Sequence, residues 1–165
     1  MYNIGDKVIH QCEGACYIKD IVDLNQNDSI KQYYILEPLL NKKANVYIST
    51  DEDKQRRIRS AIDITELKKS ENIVFDTKIN WIDDAKKRYT EYNKFISSFD
   101  FLDVMLLIKS LLTKKTTHAL TTTDQNLLTA AQRLVYSEMA IVLNQDYDMV
   151  AAKVEQYFTP EPVEV

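Results

Sequence analysis

His10, Cys12 and Cys16 stand together in the run HQCEGAC, and imidazole and thiolate are the ligands that zinc and redox chemistry draw on. A closed structural zinc site needs a fourth ligand, usually from a second Cys pair. The chain has only two cysteines and one further histidine, His118. The run therefore reads as two free thiols in a reducing compartment, with no metal and no cofactor. The carboxylate pairs Asp83/Asp84 and Asp100/Asp103 are of a type that could do general acid–base work. Each pair lies at the start of a helical pattern, where the helix dipole favours carboxylates without any catalysis. No Ser or Cys is tied to a His by spacing, and the two glycines, Gly5 and Gly14, are too few for a phosphate-cradling loop. These residues point away from an enzyme.

Two basic clusters remain. Lys54, Arg56, Arg57 and Arg59 form the denser one. Such a cluster can meet phosphate or an acidic protein surface, but Asp51, Glu52 and Asp53 precede it and favour a solvated face of mixed charge. Lys86, Lys87 and Arg88 follow the chain's only tryptophan, Trp81. Cations beside an aromatic ring are what a wedge into nucleic acid needs. On the residues alone Trp81 also opens an apolar stripe, and that core reading is the stronger of the two.

At 165 residues, with 45% hydrophobic and 28% charged side chains, the chain builds a core and holds one ordinary domain or two small ones. Its net charge of −4 has the wrong sign for wrapping nucleic acid through bulk electrostatics, and neither side of Lys78 carries a basic excess. A DNA contact must then be a local patch, or be delivered by a larger complex. No apolar run reaches the roughly 18 residues that a membrane span needs. The opening, MYNIGDKVIH, is polar and lacks a signal-peptide pattern. The chain reads as soluble and cytoplasmic, without a membrane partner.

The elements that must position these residues change in kind along the chain. Asp6–His10, Ala15–Val22, Gln32–Glu37 and Asn45–Ser49 are rich in β-branched and aromatic residues and are separated by polar clusters such as LNQNDS and NKKAN. Four short strands predict a small curled antiparallel sheet of SH3 or Tudor type, with Gly14 at a tight turn that needs positive φ. Tyr33 and Tyr34 are adjacent, so one faces in and the other out. An outward Tyr, with Tyr47 on the last strand, can line an edge that binds by strand addition. Beyond a charged stretch, Asp51–Arg59, and one short helix over Asp63–Ser70, the period becomes helical. Trp81, Ala85, Tyr89, Tyr92 and Ile96 predict one buried stripe. Further helices are predicted over Phe101–Lys115, from Thr122 to Asn144 with a capping box between Thr122 and Gln125, and over Asp148–Phe158. Pro160 and Pro162 mark a frayed tail. The expected fold class is α+β: a small SH3/Tudor-like antiparallel β-barrel over residues 1–76, then a four-helix, all-helical bundle over 77–165.

The start, IGDKVIH-x-x-x-GACYIKDI, resembles the opening of the CarD/CdnL family of bacterial transcription regulators, roughly G-D-x-V-V-Y-P-x-H-G-x-x-x-I-x-x-I. Gly5, Asp6, Val8, Ile9, Gly14, Ile18 and Ile21 match in register. KQYYILEPL and VYIST resemble later strands of that family, and RRIRSAI its turn, with Arg59 and Ile62 matching. NWIDDAKKRYTEYNKFISSFDFLDVMLLIKSLL and TTTDQNLLTAAQRLVYSEMAIVL are similar to its helical domain, with Glu138 on an acidic position. The resemblance covers residues 1–158.

It implies an adaptor for bacterial RNA polymerase. A Tudor-like domain, shared with a transcription-coupled repair factor, would bind the polymerase β subunit through the edge near Lys31, Tyr33, Ile35, Glu37, Asn45, Tyr47 and Ser49. A helical domain would modulate promoter opening by contacting promoter DNA in the context of polymerase through Trp81, Lys86, Lys87 and Arg88. The chain departs from the family pattern at His10-Gln11 (Tyr-Pro), Ser49 (Pro), Arg57 (Gly), Tyr47 (often Arg) and Ile82-Asp83-Asp84, where basic residues are usual. A protein–protein interaction module without DNA contact is the alternative reading, and an enzyme assembled across the two halves is a remote third. An edge strand could also serve self-association.

Overall fold

The computed structural model describes residues 1–27, 29–51 and 57–159. Five strands, β1 (Lys7–His10), β2 (Gly14–Gln26), β3 (Ser29–Pro38), β4 (Val46–Ser49) and β5 (Ile58–Ser60), are followed by five helices. These are α1 (Ile64–Asp76), α2 (Ala85–Ser98), α3 (Phe101–Lys115), α4 (Thr122–Leu143) and α5 (Tyr147–Phe158). The class is α+β, as expected.

The strands form one antiparallel sheet in the order β4-β3-β2-β1-β5. Val8, Cys16, Ile18, Tyr34, Leu36, Ile48 and Ile58 make its core. Every second residue of β3 from Tyr34 to Pro38 is buried, as a sheet with one packed face requires. Gly14 turns β1 into β2 at φ 75°, the conformation its lack of Cβ permits. Two strand expectations need correction. β2 and β3 run outward through the polar LNQ and into Ser29, so the cluster LNQNDS is mostly strand, paired as Gln26↔Ser29. β5 lies at the end of the segment read as a charged stretch: Ile58 fills the core while Arg59 pairs with Ile9. Three residues are too few for a period-2 signal to stand out among charges.

The chain divides into Met1–Ala61 and Ile62–Val165, earlier than the expected boundary at 76/77. α1 belongs to the helical unit because its buried stripe, Leu67, Ser70 and Val74, packs on α3 and α4. That stripe also carries the helix to Asp76, six residues beyond the expected end at Ser70. The fully buried Glu138 of α4 accepts a 3.0 Å bond from the Ile62 N–H, which fastens the start of this unit. The bundle therefore has five described helices rather than four.

Each helix opens on a side-chain cap: Asp63, Asp84, Asp100, Thr121 and Asp146 accept backbone N–H groups that the first turn leaves without partners. Asp84 and Asp100 thus do capping work. The box at α4 lies one residue before the expected pair, between Thr121 and Asp124. With no glycine at their ends, α2 and α4 stop on Phe99 and Asn144, at φ 58° and 51°. Pro160 and Pro162 lie outside the described residues.

Candidate functional site

On the sheet unit, antiparallel register decides which side chains share a face. Lys31, Tyr33, Ile35 and Glu37 alternate with the core residues of β3 and lie on its outer face, each half-buried. Leu24, Val22, Asp20 and Tyr17 stand opposite them on β2, and Ser49 and Tyr47 stand opposite Tyr33 and Ile35 on β4. β4 is an edge strand, and Tyr47 on it is 51% exposed. Six of the seven expected residues therefore fall on or beside one outward surface, with Asn45 just before β4.

Ser49 is the exception. It is 5% exposed, and its Oγ accepts the Asp51 N–H at 3.3 Å, so its side chain is engaged locally rather than projecting from the face. Lys19 is the residue that sequence reasoning missed. A β-bulge between Ile18 and Asp20 leaves it outside the ladder pairing, but it lies two residues after the outward Tyr17, so alternation turns its side chain to the outer face. There its Nζ lies 3.5 Å from Glu37 and donates to Asn45 Oδ1 at 3.4 Å. Alternation from Tyr17 is the signal that could have found Lys19; what spacing does not show is the bulge, which brings Asp20 onto the same face opposite Ile35.

The HQCEGAC run builds a turn. His10 Nδ1 accepts the N–H groups of Glu13 and Cys12 at 3.2 and 3.4 Å, so Nδ1 carries no proton there. Burial lowers the imidazole pKa; Glu13 opposes this and Arg57 adds to it. Burial pushes the Cys16 thiol up to about 12, leaving it a packing group. Among the described residues no cluster of His, Cys, Asp and Glu could hold a metal ion. Of the denser basic cluster, Lys54 and Arg56 lie outside the described residues; the exposed Arg57 accepts the Gln11 N–H at 2.9 Å through its carbonyl.

In the helical unit Trp81 does not sit on the expected stripe. α2 begins at Ala85, behind its Asp84 cap, and its buried positions are Arg88 and Tyr92, while Ala85 and Tyr89 are exposed. Hydropathy cannot mark a stripe whose first buried member is an arginine. Arg88 is 4% exposed. Its Nε and Nη2 bind the Asp124 carboxylate at 2.9 and 2.8 Å, a bidentate pair. Its Nη1 donates to the Ile82 and Asp83 carbonyls at 2.7 and 3.1 Å. The bond to Asp124 holds the guanidinium pKa up. Burial raises the Asp124 carboxyl, but bonds from Arg88 and Thr121 outweigh it and leave it below the ordinary range. The expectation that Arg88 contacts DNA is therefore corrected: the side chain is buried and four of its five N–H groups are used inside the fold.

Trp81 itself is half-buried, in the non-helical segment before α2. Its ring centroid is 4.4 Å from Arg88 Cζ and 5.0 Å from Lys114 Nζ, within cation–π range. Tyr92 packs on it in a T-shaped pair, ring centroids 6.2 Å apart. Trp81 lines an open groove of about 750 Å³ together with Lys78, Asn80, Lys109, Lys114 and Thr117. Lys86 and Lys87 are exposed on the first turn of α2 but do not line this groove; Lys86 lines a separate one between α2 and α4. The cations against the ring are thus Arg88 and Lys114, the latter 33 positions away and legible only from tertiary packing; Lys78, three residues before Trp81, shares the groove. No described helix is long and apolar enough to cross a membrane.

Residues 2–62 match the family model described as the CarD-like/TRCF RID domain, and residues 72–155 match that of the CarD C-terminal domain. None of the curated proteins compared matches the chain.

Proposed function

The chain belongs to the CarD family of RNA-polymerase-interacting transcription regulators, and from that premise we propose that it binds the polymerase β subunit through the β3–β4 face and acts on promoter opening through Trp81. The observation that carries the DNA half is the half-exposed Trp81, which lines a groove with Lys78 and Lys114. An aromatic face supplies the stacking or wedging group, and the lysines supply phosphate contacts. Tethering by polymerase raises the effective concentration of promoter DNA, so an acidic chain can rely on one local patch. The polymerase half rests on strand addition at β4, with Tyr47, Ile35 and Tyr33 giving apolar contact and Lys19, Lys31 and Glu37 the charged rim. Lys86 and Lys87 serve as outer phosphate contacts on the first turn of α2.

The test measures the lifetime of promoter complexes formed by polymerase with the full-length chain. Trp81→Ala is expected to remove about 1–3 kcal/mol of aromatic contact with bases, roughly a 5- to 150-fold loss of the chain's effect on lifetime. Tyr47→Glu is expected to weaken binding to the isolated β subunit and leave the fold intact. Unchanged lifetimes with Trp81→Ala would overturn the DNA reading. One observation favours the alternative, an interaction module without DNA contact: Arg88 is withdrawn from the surface, and the exposed Asp83 stands beside Trp81. That alternative predicts normal β-subunit binding and no Trp81 effect.

A further inference from the structure

Eight residues, 77–84, connect α1 to α2 without helix or strand, yet two cations from neighbouring helices fasten them. At one end Lys109 of α3 donates to the carbonyls of Val74, Phe75 and Thr77 at 2.7, 3.0 and 2.7 Å. Those are all three protons of an ammonium, set on carbonyls that the end of α1 leaves free. At the other end Arg88 donates to Ile82 and Asp83 while Asp124 holds its other edge. Trp81 lies between the two fastenings, its ring against the Arg88 guanidinium. A connection of this length would ordinarily sample many conformations, and ordering it on contact with DNA would cost affinity.

We propose that Arg88 and Lys109 are positioning residues that hold the 77–84 strap so that Trp81 is presented to DNA already ordered. This rests on the reading that Trp81 meets promoter DNA. In that role Arg88 acts through Trp81 and Lys109 through the backbone of the strap. A lysine at 88 keeps the charge but loses the planar fork that reaches Asp124 and two carbonyls at once.

Trp81 is the only tryptophan, so its fluorescence reports the strap alone. In the full-length chain, Arg88→Lys is expected to keep the circular-dichroism spectrum, lower Trp81 anisotropy and increase acrylamide quenching. It should also reduce the chain's effect on promoter-complex lifetime by about 2- to 30-fold, and add nothing in a Trp81→Ala background, as coupled residues do. Lys109→Gln leaves the Arg88–Asp124 pair intact and carries the same test if Arg88→Lys fails to fold. An unchanged anisotropy, or a loss of lifetime equally large on top of Trp81→Ala, would overturn the positioning role alone. If Trp81→Ala itself leaves lifetime unchanged, the DNA reading fails and the proposal falls with it.

Discussion

The sheet unit and the helical unit present their candidate surfaces by opposite means. On the sheet, the surface follows from regular geometry: alternation turns Tyr33 and Ile35 outward, and β4 offers an edge because nothing described pairs with its far side. Its charged groups, Lys19 and Glu37, are partly exposed at 3.5 Å, and such pairs contribute little. In the helical unit the projecting group, Trp81, sits on irregular backbone and needs the buried polar bonds of Arg88, Asp124 and Lys109. A surface made from secondary structure tolerates substitution; one made from a fastened loop depends on a few charged side chains.

The sharpest way to break this comparison is Asp124→Ala. It leaves the buried Arg88 without its carboxylate and removes the acceptor of the Thr121 N–H and hydroxyl in the capping box. A loss of about 3–5 kcal/mol is expected for an unpaired buried charge, read by urea unfolding of the full chain with a probe in the helical unit. The sheet unit's transition should stay in place. A loss under about 1 kcal/mol, the range of exposed pairs, would mean the strap is not held by this pair.

This contrast also explains what was legible in the sequence. α3 is found at its observed bounds, and α4 and α5 within a residue or two, because their apolar positions recur with a helical period and their caps are Asp or Thr. The Tudor-like sheet, the edge and the outward Tyr47 follow from alternation. The misses share a cause: polar residues acting inside the fold. Arg88 is basic and reads as a surface contact, but it is buried by a partner 36 positions away. Ser49 reads as an edge residue, but its side chain is engaged locally. Asp20 owes its direction to a bulge and Lys114 its place to helix packing, neither of which sequence spacing encodes.

Acid should separate the units in order. Burial holds the His10 pKa below its ordinary 6.5, so the unfolded chain binds that proton more tightly. The His10 contribution is complete above about pH 6.5 and is lost as pH falls below it. The Asp124 pKa is below its ordinary 3.8, so that contribution persists until pH falls under about 3.8. Burial raises Glu71 above 4.5, opposed by Lys68; its protonation favours the folded helical unit as pH drops. Amide NMR signals of both units in one titration should therefore show the sheet weakening first, as pH falls below about 6.5. His10→Gln should flatten that limb. Simultaneous loss of both units would contradict the assignment of separate titrating groups.

The smallest stability effect should come from Lys19→Ala, and it sharpens the comparison most. Lys19 meets Glu37 and Asn45 in an exposed setting, so removing it should change stability by about 0–1 kcal/mol. If the outer face binds polymerase, the same substitution should still slow association, and raising the salt should narrow the difference between variant and parent, since rim charges act mainly on encounter. Glu37→Ala then distinguishes a direct role from an internal one. Loss of Glu37 frees Lys19 for the partner if Lys19 itself makes the contact, and leaves association slowed alike if the pair acts as one unit. A large stability loss from Lys19→Ala would show that the bulge, rather than the edge, is what the sheet depends on.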